Sequence, residues 1–312
     1  MKKLTVAQIV PTLNSGGVER GAVDLAKFLA KKGHEPIIIS AGGKMAGVEK
    51  APEVEENATK SEENGAKKKR GGKKKSSPPI IHMKLPVNRK NPLIIWLCAQ
   101  KLVQIIQLYE IDIIHSRSRI PAWCAFFIER KLRKLGIKCH FISTIHGPYS
   151  TNLFGQNFSP LKIFYNSAAL KPKYIIAVSN FIKNYIEENY QKENLEEKEI
   201  RVIHRGVDIN YFNPENVSPE RLVQIHKKLA IENLDLNKKI IFFPARFSSW
   251  KGHEFLIDAL AKLKTNQPHA NFLCLMVGKI DNKNKFLARI KKQIFSANLN
   301  ENIRICDAIA LP

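Results

Sequence analysis

An α/β fold made of two Rossmann-like, doubly wound parallel-sheet domains, the second incomplete, is the architecture this sequence predicts, on three observations. The chain opens with a strand, a glycine-bearing turn, a helix and a second strand, the βαβ unit that winds to the right and builds a parallel sheet. A strand, basic loop and helix recur at residues 240–263. With 312 residues and 44% hydrophobic content, the chain can bury two cores.

Leu4 to Val10 reads as the first strand. Residues 11–17 form a turn into a helix from Val18, where Val23, Leu25, Ala26, Phe28 and Leu29 are available for burial. His34 to Ser40 is the second strand. Gly16 and Gly17 allow the backbone to approach a ligand at the helix start; a plain tight turn is the competing reading. The pattern is not G-x-G-x-x-G, so a dinucleotide site is not indicated. Residues 44–79 are Glu-rich, then Lys-rich, then Ser-Ser-Pro-Pro, with almost no apolar side chain, and are expected to be a disordered insertion. Their basic run, Lys67 to Lys75, has the composition of a nuclear-localisation or nucleic-acid patch, or of a surface-loop insertion that costs little.

Ile80 to Leu85 is the next strand, followed by a helix from Pro92 to Glu110 and a strand from Ile111 to His115. Arg117 and Arg119 come directly after that strand, at the end where open α/β sheets place ligands. Lys138 to Ile145 is a strand ending in His146 and Gly147, a position from which the imidazole reaches a substrate or serves only the structure. Tyr174 to Val178 is another strand, with Ser179 capping the following helix. Ile200 to Ile203 and the segment through Asn213 close the first domain.

The second domain runs from residue 214 to 312. A helix from Val217 to Leu229 precedes Ile240 to Phe243, four apolar residues that read as a buried strand closed by Pro244. A polar turn then carries Arg246 and Lys251 to Gly252, and Leu256, Leu260 and Leu263 mark a helix. The free N–H groups and positive dipole end of such a helix favour an anion, and two cations beside them make a phosphate site. Arginine offers a planar fork to phosphate oxygens and lysine a point charge. Two solvated loop cations are the alternative. Asn271 to Gly278 is a strand, Asn282 to Ser296 a helix, and Ile303 begins a further strand.

The balance of 51 basic to 28 acidic residues, net +23, implies an anionic partner: nucleic acid, a membrane face or an acidic substrate. Residues 48–79 carry nine basic and six acidic side chains, a net +3, which leaves +20 spread over the rest. No compact nucleic-acid arm is implied. The five cysteines contain no C-x-x-C pair and read as reduced core residues of a cytosolic protein. The apolar run after Lys3 ends at Pro11 without a small-residue cleavage site, so it is a strand rather than a signal peptide. No 18-residue apolar run exists, and a membrane-spanning helix is not expected.

Read with its flanks, the segment from Ile240 to Glu254 resembles the donor-phosphate loop of the GT-B glycosyltransferases, in particular the retaining glycosyltransferase family 4 that includes lipopolysaccharide-core enzymes. His115-Ser-Arg-Ser-Arg119 with Ile120-Pro-Ala-Trp123, Thr144-Ile-His-Gly147, Ala177-Val-Ser179 and Arg205-Gly-Val-Asp208 are similar to further segments of that family, where relatives commonly carry Asn or Arg before Gly-Val-Asp, so that Arg205 is an acceptable variant. The resemblance implies a GT-B fold in which Gly16 and Gly17 face the cleft beside the donor phosphates and the acceptor, and His146 lies near the transferred sugar. Arg117 and Arg119 then hold an acidic sugar or phosphate of the acceptor, or else form an ion pair shaping the cleft wall. Arg246 and Lys251 would neutralise the departing diphosphate, with no metal and no cofactor beyond the nucleoside-diphosphate sugar as substrate.

The implied activity is hexosyl transfer, with retention, from a nucleotide sugar to a glycan or glycolipid acceptor of the lipopolysaccharide type. The implied location is cytoplasmic, peripheral at an anionic inner membrane face. A doubly wound second domain wants about six strands, of which two and the start of a third are legible. The family's Glu-x7-Glu pair is absent: Glu55/Glu63 and Glu188/Glu196 have that spacing by chance, upstream of the phosphate loop. A truncated, inactive remnant with an exposed sheet edge is therefore the alternative expectation. A nucleic-acid binder using residues 67–75 is a minor one, weakened by the lack of interleaved aromatics.

Overall fold

The computed structural model describes residues 2–14, 16–46, 78–149, 160–231, 238–281 and 283–308, and the chain divides into two compact units, Met1–Gly206 and Val207–Pro312. Most of the insertion expected at 44–79 falls on residues 47–77, outside the described residues. Its first residues depart from that expectation. Met45 donates its N–H to the Leu13 carbonyl at 2.8 Å, and Met45 and Ala46 pack against the buried cluster that contains Val10, Leu13, Val23 and Ile38.

The first unit contains β1 (Thr5–Ile9), α1 (Gly17–Lys31), β2 (Glu35–Ser40), β3 (Ile81–Lys84), α2 (Pro92–Leu108), β4 (Ile113–Ser116), α3 (Arg119–Lys134), β5 (His140–Ile145), α4 (Pro160–Ser167), β6 (Tyr174–Ala177), α5 (Asn180–Asn189) and β7 (Glu199–Val202). Its seven strands are parallel, in the order β3-β2-β1-β4-β5-β6-β7. The chain runs outward from β1 to β3 and then returns to lay β4 on the other side of β1. That reversal opens a crevice at the carboxyl ends of β1 and β4, the usual ligand position in an open α/β sheet.

Local chemistry explains the elements around this crevice. All five residues of β1 are buried, and buried Gln8 donates its Nε2 to the Ala22 carbonyl at 2.9 Å, tying β1 to α1. Helix α1 meets the sheet through small side chains, Ala22, Val23, Ala26 and Ala30. Phe28, expected to be available for burial, is 54% exposed because its position faces away from that stripe. Asn91 caps α2, accepting from Leu93 and Ile94, with Pro92 in the first turn. Helix α3, which periodicity alone did not assign, begins at Arg119, the second of the two arginines that follow β4, and packs on α2.

The second unit contains α6 (Pro219–Leu229), β8 (Lys239–Pro244), α7 (His253–Asn266), β9 (Phe272–Val277), α8 (Lys285–Ser296) and β10 (Ile303–Cys306), with the three strands parallel in the order β10-β9-β8. Ile257 and Leu260 of α7 and Leu287, Ile290 and Ile294 of α8 pack on Phe272, Cys274 and Met276 of β9. Leu229 of α6 covers Leu273, Leu275 and Cys306 on the opposite face. Strand β8 corrects the expectation of burial: Ile241 and Phe243 pack against the α7–α8 core, while Phe242 is 57% exposed. Successive side chains of a strand point to opposite faces, and among the described residues Ile241 and Phe243 meet the α7–α8 core while Ile240 and Phe242 on the other face stay exposed. All five cysteines are free thiols, four of them buried. Among the described residues no helix is long and apolar enough to cross a membrane.

Candidate functional site

The first unit brings four of its five expected site residues to the β1–β4 crevice. Gly16 is the N-cap of α1 in extended backbone, and no side chain caps the helix. The first-turn N–H groups therefore keep their capacity for an external acceptor. Arg117 continues the ladder beyond β4, donating its backbone N–H to the Ile9 carbonyl at 3.0 Å. That bond sends its side chain back into the protein, where it is only 8% exposed and its Nε has no hydrogen-bond partner. His146 follows β5, and neither of its ring nitrogens has a partner.

Arg205, which sequence reasoning treated only as a tolerated variant, completes the cluster. Its Nη2 donates to the Gly17 carbonyl. A Cβ added at Gly17 would lie 2.6 Å from Arg205 Nη1, so the glycine leaves room for this guanidinium. Gly21 was also missed: a Cβ there would lie 3.3 Å from Arg205 Nη2 and 3.5 Å from Arg117 Nη1. The two guanidiniums converge on one face of the first turns of α1. The available signal was a second glycine four residues after Gly17 inside a helix, where glycine is otherwise unfavourable.

The electrostatics of this cluster are one-sided. Burial, and then the charge of Arg205, lower the Arg117 guanidinium to about 10. Burial, followed by Arg117 and Arg205, pushes the His146 imidazole down to about 3. Buried His115, whose Nε2 is 2.7 Å from Thr144 Oγ1, is held well below the ordinary histidine range by burial, Arg117 and His146. Neither Arg117 nor Arg205 forms a salt bridge among the described residues. At neutral pH His146 is thus an uncharged imidazole, a hydrogen-bonding group too weakly basic for general-base work.

Arg119 does not share this arrangement. Its Nη1 donates to Asn166 Oδ1 at 2.9 Å, and the guanidinium sits 4.8 Å and 5.4 Å from the ring centroids of Tyr149 and Tyr165. It clamps the start of α3 to α4, a wall-shaping role achieved with an amide and aromatic faces. Ser179 caps α5, accepting from Ile182 N at 3.3 Å.

In the second unit, Arg246 and Lys251 project from a loop pinned from below. Ala245 donates to the Val277 carbonyl at 2.9 Å. Phe247 is buried and its carbonyl accepts from Asn284 Nδ2 at 3.0 Å. His253, the first residue of α7, is fully buried among Phe243, Phe247 and Phe286, with ring centroids 4.9, 5.0 and 5.7 Å away. Burial is the main cause that lowers its pKa. Gly252 turns the chain at φ +81° into α7, again with no side-chain cap. Above this base, Trp250 is 68% exposed and both cations lie over its ring: Lys251 Nζ is 4.1 Å and Arg246 Cζ 5.8 Å from the ring centroid. Neither cation has an acidic partner among the described residues.

Residues 15–211 match the family described as Glycosyltransferase Family 4, and residues 224–309 match that described as Glycosyl transferases group 1. An uncharacterized glycosyltransferase of Methanocaldococcus jannaschii is 30% identical over 164 residues, which span 50% of this chain and 38% of that protein. Among solved structures, a glycosyltransferase from Rickettsia africae is 37% identical with a TM-score of 0.72, covering 99% of this chain and 69% of that one. The sucrose-phosphate synthase of Thermosynechococcus elongatus, at 16% identity and TM-score 0.66, covers 98% of this chain and 71% of its own. WaaG, a glycosyltransferase involved in lipopolysaccharide biosynthesis, has 11% identity and TM-score 0.58, with 97% and 70% covered. The last two likenesses concern the fold, which is that of the GT-B glycosyltransferases.

Proposed function

Because the chain belongs to glycosyltransferase family 4, we propose that it transfers a hexosyl group from a nucleoside-diphosphate sugar to a saccharide or lipid-linked acceptor of the lipopolysaccharide type, with retention of configuration. The observation that carries this reading is the pair Arg246 and Lys251, gathered by Trp250 at the uncapped amino end of α7 and without acidic partners among the described residues. Charge builds on the diphosphate as the glycosidic bond breaks. A guanidinium, an ammonium and the helix N–H groups, already oriented, stabilise that charge with little reorganisation. In this reading the leaving group needs neither a divalent metal nor a resident cofactor. Retention follows from attack on the face the diphosphate leaves, with a leaving-phosphate oxygen taking the acceptor proton.

Titration of the full chain with nucleoside-diphosphate sugars, followed by transfer assays and NMR assignment of the product anomer, tests this function. Arg246→Ala and Lys251→Ala should each lower turnover by about a hundredfold or more. Unchanged turnover in both would rule out the phosphate-loop assignment, and an inverted product would rule out the route.

A second element of the proposal is work at the anionic inner face of the cytoplasmic membrane. It is supported by the net +23 charge and by exposed Leu93, Trp96 and Leu97, spaced along one side of α2. Co-sedimentation with liposomes that ignores lipid charge and salt would count against it.

A further inference from the structure

We propose that His253 is a positioning residue for the candidate donor loop: as the loop takes a diphosphate, the imidazole N–H donates to the Ala245 carbonyl and fixes the peptide unit that joins Ala245 to Arg246. The role rests on the phosphate-loop reading of Arg246 and Lys251.

His253 is polar where packing asks for no polarity. The residue opens α7 and is fully buried. Its ring meets Phe243 of β8, Phe247 of the loop and Phe286 of α8, with centroids 4.9, 5.0 and 5.7 Å away. Among the described residues neither imidazole nitrogen has a hydrogen-bond partner. A buried polar group in this condition costs stability that a hydrocarbon side chain of similar size would recover. For filling the space between three phenylalanines, Leu or Phe would serve better.

Besides the phenylalanines, the loop's own main chain lies against the ring. Burial is the largest influence on the imidazole and keeps it neutral; opposing it, in decreasing order, are the backbone of Ala245, the Glu254 carboxylate and the backbone of Ser248. A neutral imidazole has one N–H to give. The Ser248 carbonyl already accepts from Lys251 N at 3.0 Å. The Ala245 carbonyl shares a peptide unit with the Arg246 N–H, so a bond there sets the direction in which the Arg246 side chain leaves the loop. On either side of that unit the main chain is already tied, through the Ala245 N–H to Val277 and through the Phe247 carbonyl to Asn284. The peptide between them is the piece left for His253 to hold. Hydrogen bonds that support a reacting group are often long before substrate is bound and tighten with it.

The ring of His253 is its own reporter. In the full chain with isotope-labelled histidine, its signals, assigned by their loss in His253→Phe, are followed by NMR as inorganic pyrophosphate is added at constant ionic strength. Binding should move the ring N–H downfield and fix one tautomer, saturably. By calorimetry, His253→Phe and His253→Leu should bind pyrophosphate about tenfold more weakly while melting at or above the parent's midpoint. His253→Gln keeps an N–H donor and should bind within about threefold of the parent. Weaker binding in a protein that is no less stable separates positioning from mere packing.

Ring signals that ignore saturating pyrophosphate overturn the proposal, and that result requires no variant to fold. So do apolar variants that bind like the parent, or that lose affinity only in step with a lower melting midpoint. If Arg246→Ala loses pyrophosphate while His253→Phe binds it normally, the positioning role alone fails. If Arg246→Ala and Lys251→Ala both bind as the parent does, the phosphate-loop reading fails and the role of His253 falls with it.

Discussion

Gly278 is the position where a single methyl group should reach the candidate donor loop through the backbone. It follows β9, and its N–H bonds the Cys306 carbonyl at 3.0 Å. A Cβ at Gly278 would stand 3.2 Å from both the Ala245 carbonyl carbon and Phe247 Cε2, and closer still to the Ala245 oxygen. The obstacle is backbone, which cannot swing aside as a long side chain can. Gly278→Ala must therefore push apart the segment after β9 and the segment between β8 and Arg246, straining the bond from Ala245 to Val277. Overpacking of this kind costs about 1–3 kcal/mol. For a unit of this size that lowers the melting midpoint by roughly 4–24 °C. The displaced residue adjoins Arg246, so affinity for a nucleoside-diphosphate sugar should fall with stability. Differential scanning calorimetry and isothermal titration measure the two effects. Gly147→Ala is the control, because nothing lies within 4 Å of a Cβ there and its stability should change by less than about 0.5 kcal/mol. If Gly278→Ala melts and binds like the parent, the close approach of the two segments does not set the loop geometry.

Other substitutions separate the roles of neighbouring groups. Trp250→Ala removes the ring that gathers Lys251 and Arg246; stability should be nearly unchanged, since the ring is 68% exposed, while donor affinity drops up to about tenfold by calorimetry. Arg119→Lys breaks the hydrogen bond to Asn166 and the contacts with Tyr149 and Tyr165, and should cost about 1–2 kcal/mol in urea unfolding. The pKa of His146 falls from the ordinary 6.5 to about 3 on folding, so the unfolded chain takes its proton first as pH drops. This group's contribution is complete above pH 6.5 and is lost as pH falls toward 3, up to about 5 kcal/mol in all. Urea titrations at pH 7 and 4.5 should reveal that loss, and His146→Gln should flatten it.

Much of this molecule is written in local pattern. Strands ended where polar or glycine residues interrupted apolar runs, and Ser179, Asn91 and Gly252 stand at helix starts where capping or turning chemistry puts them. The alternating exposure of β8 was less legible. Four consecutive apolar residues look alike whether a strand is covered on two faces or one, and only its place in the sheet decides. Phe28 failed for a related reason, since the stripe that meets the sheet is made of alanines and valine.

By itself the sequence determined the fold class, the family, and the presence of Arg246 and Lys251 on a loop between strand and helix. The fold class follows from the order of strands and helices, the family from a resemblance carried by several segments, and the loop from the spacing between Ile240 and Gly252. Only the tertiary structure decided that Arg117 is buried with no salt bridge among the described residues, that Arg119 is engaged by Asn166 and two tyrosines, and that Arg205 reaches the start of α1 from 188 residues away. A charged side chain's role depends on which opposite charge stands beside it, and here that was settled by the order in which parallel strands lie side by side.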